Sequence, residues 1–382
     1  MNNNRVMLLS IKDKSFWVSL VYPTVLLIYH ILGHSAFENN SVIVPVIVLI
    51  WVYYFKLEDK AAVRLLVGVV LTYMILVAVN TLIALQSNPN IARLLAAGDT
   101  DYIVQWASPL IGNYGTVYCV MLIVIGIWGM VFMNIRRREN IVWFVIFVVF
   151  CIFLIRAQYT ISVLLATAGI FILTFIIQRK STLKMISLCI GCTVLLIVFI
   201  IGLPTLFYSV ASLFQPGFLH YRFIQVGDLF AGVSASNNGA SVRFDLYMIS
   251  WNTFLRYQYF GAGNLVSMID GARRIGGHSL YFDALGRYGI FGGIALLGSR
   301  LYLIIQVLKR MKGKHIAIYS TIALIFFVLG WLNPTNGNEF MVTMILLIPF
   351  LLIGWGNENY FGVEIKNVKP ESLLNKPSRL LT

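Results

Sequence analysis

The sequence predicts an all-α polytopic membrane protein of about ten transmembrane helices with one large outward-facing loop holding short amphipathic helices, and three observations carry that prediction. Hydrophobic residues make up 59% of the 382 and charged residues only 12%, with a mean hydropathy of +0.83, more apolar surface than a soluble domain can expose. Apolar runs of about 15 to 25 residues recur along nearly the whole chain, each roughly what a helix rising 1.5 Å per residue needs to cross ~30 Å of hydrocarbon. Transmembrane strands would be shorter and would alternate. Finally, the cations sit in short clusters between the runs rather than in one patch, which turns the net charge of +14 into a statement about orientation rather than about nucleic acid.

The expected spans are 16–32, 41–55, 61–85, 113–133, 141–155, 157–177, 185–208, 287–308, 316–332 and 340–356. The first lacks a small-residue cleavage site and reads as a retained span. With the N-terminus in the cytoplasm, each even-numbered connection is cytoplasmic: 56–60, Arg136 to Arg138, Arg179 to Lys184, and Lys309 to Lys314. Every lysine then lies on that side, as the positive-inside rule asks. The outer side receives 86–112, the short NPTNGNE at 333–339, and the large loop 209–286. Residues 1–382 form a single membrane domain with no fixed-period repeat, and 357–382 a polar cytoplasmic tail. Within the large loop, Ser241 is a plausible helix cap. Phe244, Tyr247, Met248, Trp251 and Leu255 follow at helical spacing, an aromatic face for lipid or the bundle.

Because lysine is absent from the outer side, the arginines there need a reason. They are Arg93, Arg156, Arg222, Arg243, Arg256, Arg273, Arg274 and Arg287. A guanidinium is always charged and presents a planar fork of donors suited to phosphate oxygens; contact with ordinary anionic headgroups is the plainer alternative. Arg156 stands on the very short turn between the fifth and sixth runs, beside Tyr159. His278 follows Gly276-Gly277, with Arg273 and Arg274 upstream, a setting that favours a neutral ring able to give or take a hydrogen bond. Gly289, Gly292 and Gly293 form a smooth patch of the kind that lets membrane helices approach closely. Arg300, the one clear charge inside a run, is expected to snorkel toward the cytoplasm. His315 is expected to be an incidental cytoplasmic residue. The four cysteines lie in apolar runs, and Cys189-x-x-Cys192 lacks the electropositive or ligand-rich setting of redox or zinc chemistry. No metal-ligand, phosphate-loop or nucleophile-elbow pattern appears, and neither metal nor cofactor is expected.

These residues resemble a family, the bacterial O-antigen polymerases and O-antigen ligases. Its characteristic pattern is His-[Asn/Ser/Gln]-x9-Gly-x-x-Gly at the end of a large late loop, and His278, Ser279, Gly289 and Gly292 match it without gaps. Upstream, Arg243, Trp251 and Gly261-Ala-Gly263 resemble the family's R…W…G-x-G stretch, and Arg156 resembles another arginine of the fold. The resemblance implies a multi-pass protein of the bacterial inner membrane, with both termini cytoplasmic, the large loop periplasmic and the active site on the periplasmic face. It implies a metal-independent, inverting glycosyl transfer from an undecaprenyl-pyrophosphate-linked oligosaccharide, alongside membrane lipids, a chain-length regulator and a flippase. In that chemistry Arg156 and Arg243 would hold the pyrophosphate and His278 would bond the same group or orient the acceptor. Tyr159, Arg222, Asp245, Arg273, Arg274, Tyr281 and Asp283 would bind substrate or support those that do. Polymerase and ligase share this machinery. The short chain, rich in asparagine and aromatics, with an irregular upstream loop, is most like a polymerase; a transporter or lipid flippase is the alternative from another class.

Overall fold

The computed structural model describes residues 3–34, 38–87, 110–132, 137–157, 160–177, 207–231, 239–263, 268–269, 272–273 and 275–355. These fold almost entirely into helix: α1 (Asn3–Ile11), α2 (Lys14–Ser19), α3 (Val21–Ile31), a 3-10 turn (Asn39–Val42), α4 (Ile43–Leu57), α5 (Lys60–Ser87), α6 (Tyr114–Phe132), α7 (Arg137–Arg156) and α8 (Thr160–Ile177). After these come α9 (Phe218–Ala231), α10 (Gly239–Arg256), a two-residue ladder of β1 (Met268–Ile269) with β2 (Ala272–Arg273), α11 (Leu280–Arg310), α12 (Lys314–Leu332) and α13 (Asn338–Met341). A π-helical turn (Val342–Leu347) runs from α13 into α14 (Ile348–Trp355).

Among the described residues, five helical stretches are long and apolar enough to cross a membrane: Lys60–Gln86, Tyr114–Val131, Leu280–Arg310, Lys314–Leu332 and the continuous Asn338–Trp355. Ile43–Leu57, Ile141–Arg156 and Ile161–Ile176 are shorter apolar helices. The run at 16–32 is divided between α2 and α3, because Pro23 has no N–H to donate to the Ser19 carbonyl four residues back. The run at 185–208 and the tail at 357–382 lie outside the described residues but for 207–208.

The helices differ in how much they bury. Within its most apolar window α6 is 78% buried, against 28% for α5, so α6, like the equally buried Asn338–Trp355 stretch, runs through the core of the bundle and α5 is a wall. A helix apolar all round has no solvent face to keep and belongs inside. It packs on α7, α8, α12 and α13, around a core that includes Phe150, Phe153, Phe326 and Phe350. A second, smaller core sets Tyr22, Leu26 and Tyr29 of α2–α3 against Leu280, Ala284, Tyr288 and Leu296 of α11.

At one end a charged node holds three segments together. Asp13 caps α2 by accepting from the Ser15 amide at 2.9 Å. It also pairs with Arg310 at 2.9 Å and Lys56 at 3.4 Å. The Arg310 guanidinium lies over Trp51, 4.4 Å from the ring centroid, where the aromatic face attracts a cation. Burial works against ionisation of Asp13, but the Ser15 amide and the two cations outweigh it and hold the carboxyl below the usual aspartate range.

Helix α10 begins at Gly239, so Ser241 lies inside it rather than capping it. Its aromatic face is shared: Tyr247 and Trp251 pack on Phe282 of α11, at 5.7 and 6.0 Å between ring centroids. Phe244, Met248 and Leu255 are left exposed.

Candidate functional site

The site is built around a break in α11. Gly289 has φ 65° and ψ −163°, a conformation open to glycine and closed to other residues. Breaking a helix orphans amides and carbonyls, and the segment after α10 supplies the partners. The amides of Ala262 and Gly263 donate to the carbonyls of Gly286 and Arg287, both at 2.9 Å. The amides of Ile290 and Phe291 donate to Gln258 and Tyr259 at 2.8 and 3.3 Å. The two backbones approach so closely that a Cβ on Gly261 would strike Arg287, and one on Gly289 would strike Tyr259.

The glycine patch therefore divides into separate tasks. Gly289 permits the break. A Cβ on Gly292 would strike the Tyr288 side chain of its own helix, and Tyr29 of α3 lies in ordinary contact, 3.4 Å from where that Cβ would be. The neighbours of Gly293 are Leu285 and Ala284 of its own helix, so of the close packing of two helices expected of all three, only the Gly292–Tyr29 contact crosses to another helix.

The His278 segment is clamped onto the same block. Asp283 Oδ1 accepts from Ser250 Oγ at 2.6 Å and from the Gly277 amide at 3.1 Å, and Oδ2 accepts from the Ser279 amide at 3.1 Å. Ser250 Oγ in turn accepts from the Gly276 amide at 2.8 Å. Gly277 has φ 75°, and a Cβ on Gly276 would strike the Leu246 backbone. His278 is thus held between two fixed residues, half-buried, with Nδ1 shielded from solvent. Asp283 spends its carboxylate on this clamp, and at the first turn of α11 its charge also meets the positive end of the helix.

Beside the clamp is a cavity of about 210 Å³, walled by α2–α3, Glu38, the start of α4, α11 and residues 334–338. Its lining is mostly apolar, with Pro23, Val44, Leu280 and Leu296, and a few polar groups are set into it. Glu38 accepts from Tyr288 Oη at 2.5 Å and Tyr22 Oη at 3.3 Å, and Arg287 Nη1 lies 3.8 Å away. At its deeper end is Arg300, 6% exposed, donating Nη1 to the Thr335 carbonyl at 2.7 Å and Nη2 to Asn336 at 2.9 Å. Arg300 stands ten residues before Arg310, about 15 Å along the axis. It points away from the charged node, toward NPTNGNE, so the expected snorkelling to the cytoplasmic side is corrected. Carbonyl oxygens stranded at the end of α12 outcompete the longer reach.

Among the described residues, the remaining candidates do not line this cavity. Arg156 is exposed at the end of α7, a helix packed on α5, α6 and α8 and not one that walls the cavity. Arg243 is on α10, the helix fastened to the His278 segment through Ser250, but its side chain is outside the described set, as is that of Arg273 on β2. Tyr159 and Arg274 lie wholly outside it, as do Cys189 and Cys192. Asp245 is exposed and Arg222 half-buried. Tyr281 turns from the cavity, donating to the Phe327 carbonyl at 3.0 Å and packing at a tilt against Trp331. Glu38, Tyr22 and Tyr288 were not singled out from the sequence; the available signal was a glutamate in the short loop between the first two apolar runs. His315, 1% exposed, is a core residue rather than an incidental one. Among the described residues no three His, Cys, Asp or Glu side chains gather as metal ligands.

Compared with known proteins, the sequence matches no family model and no curated protein.

Proposed function

We propose that the protein is a surface-polysaccharide polymerase of the O-antigen type, a ten-span protein of the bacterial inner membrane with cytoplasmic termini and a periplasmic active site. The observation that carries this reading is the convergence of the motif pieces. Gly261-Ala-Gly263, Gly289 and the His278-Ser279 segment are far apart in sequence, yet one network of backbone and Asp283 hydrogen bonds joins them to α10, the helix of Arg243. A loose coincidence of glycines has no reason to assemble this way.

In the proposed reaction an acceptor hydroxyl attacks the anomeric carbon of an undecaprenyl-pyrophosphate-linked glycan. The new C–O bond forms with inversion as the bond to pyrophosphate breaks, the lipid pyrophosphate leaves with the electron pair, and the hydroxyl proton passes to a base at the acceptor. Negative charge grows on the leaving group, so preset cations lower the barrier. Arg156 and Arg243 would meet the pyrophosphate; His278, rigidly held, would bond it or align the acceptor. Arg222, Asp245, Arg273, Arg274 and Tyr159 would surround the bound glycan.

The test is reconstitution in vesicles with lipid-linked repeat units and no nucleotide, metal or ion gradient. A ladder of lengthened glycans is expected. R243A, R156A and H278A should each lower its rate at least about 100-fold, the scale of losing one transition-state donor, with normal insertion. R243K should rescue poorly, because a lysine cannot supply the planar fork. Transfer only to lipid A-core would make the protein a ligase. The second reading, a flippase or transporter, is favoured by the broken α11 and the buried Arg300, since broken helices and polar groups at depth line substrate paths; translocation without lengthening would establish it.

A further inference from the structure

Two groups in the cavity beside His278 have more bonding capacity than the protein uses. Arg300 is buried and held by two neutral carbonyls, and among the described residues no carboxylate lies within ion-pair distance of it. Ser41, which also lines the cavity and is 5% exposed, has a buried Oγ with no hydrogen-bond partner among the described residues. A buried cation that touches no carboxylate and a buried hydroxyl without a partner are both costly. Finding them around one void points to a ligand that satisfies both.

The pattern of contacts narrows the ligand. Glu38 faces Arg287 and Asp283 faces backbone amides, so among the cavity's described groups Arg300 is the guanidinium that no carboxylate touches. A diphosphate carries more than one negative charge and would meet Glu38 at close range. One carboxylate matches one guanidinium edge, as a bidentate pair does. The other lining groups suit hydroxyls and a ring face: Tyr22 and Tyr288, at 5.7 Å between centroids and edge to face, with Asn336 and Asn338 across the void. We infer that this cavity binds a carboxylate-bearing sugar, of the uronic acid class, with Arg300 on its carboxylate and Ser41 on a ring oxygen or hydroxyl. The sugar half of this assignment rests on the surface-glycan reading; the anion half rests on the cavity alone.

The test uses the full chain in detergent, with glucuronate, glucose and inorganic phosphate as probes and ligand-observed NMR or calorimetry as the readout. Glucuronate should bind at least ten-fold more tightly than glucose, and phosphate should compete poorly. R300Q should erase the preference between the two sugars. Because Arg300 also anchors residues 335–336, S41A is the second variant: it leaves those contacts intact and should weaken glucuronate about five-fold. Equal binding of the two sugars, phosphate displacing glucuronate, or an S41A protein indistinguishable from the parent would each overturn the assignment. Elongation is scored on the same preparation. Elongation without glucuronate binding would remove this pocket and leave the polymerase reading standing, whereas glucuronate binding without elongation would do the reverse.

Discussion

Two charged clusters lie along α11, and they are built on opposite principles. Near its C-terminal end, Arg310 meets Asp13 at 2.9 Å and rests on Trp51, with Lys56 completing the set. Ten residues earlier Arg300 meets only carbonyls and faces a void. The first cluster sets its cations directly against a carboxylate, so it serves as a fastener between α2, α4 and α11. The second leaves its guanidinium with no carboxylate in contact, so its remaining donors are available to something else. A buried ion is easily read as stabilising, yet only the paired one can be, because desolvation is offset only when a counter-charge is present.

The comparison can be broken at several points. The largest effect should follow G289A: a left-handed residue would gain a Cβ directed at the Tyr259 backbone, unlocking the Gln258 to Gly263 stitch. Loss of about 3 kcal/mol or more is expected, seen as a collapsed melting temperature in detergent and no elongation. D283N comes next, since an amide can no longer accept from Ser250, Gly277 and Ser279 together as a carboxylate does. Roughly 2 kcal/mol should be lost, with elongation falling further than stability because His278 is released; equal falls would deny it a positioning role. H315A should cost about 1 to 2 kcal/mol through a vacated core position, and an unchanged melting temperature would return His315 to the surface.

The smallest effect belongs to the fastener. The carboxyl of Asp13 is depressed in the folded protein, so its contribution is fully present above its unfolded value of about 3.9 and is lost as pH falls through the folded value. D13N should therefore lower stability by about 1 kcal/mol at neutral pH and converge with the parent in acid. A constant difference down to the lowest pH would mean the node acts through packing alone.

Much of the helical scaffold was legible because hydrocarbon leaves a chain little choice: backbone groups must be satisfied within a helix, and apolar length is written directly in the sequence. The His278 segment and its glycines were visible too, since Gly-Gly-His-Ser and Gly-x-x-Gly mark places where a side chain cannot fit. Their meaning was not, because a positive φ inside a helix is invisible in a list of residues. Gly289 read as a packing surface and proved to be a break.

Composition and charge order thus determined by themselves that this is a helical chain for a membrane and which segments can supply cations. Tertiary structure alone decided which cations are paired. Whether Arg300 meets a carboxylate, a carbonyl or a void depends on what residues 333–338 and Glu38 bring to it from elsewhere in the chain. That is a property of three-dimensional neighbourhood which no local pattern encodes.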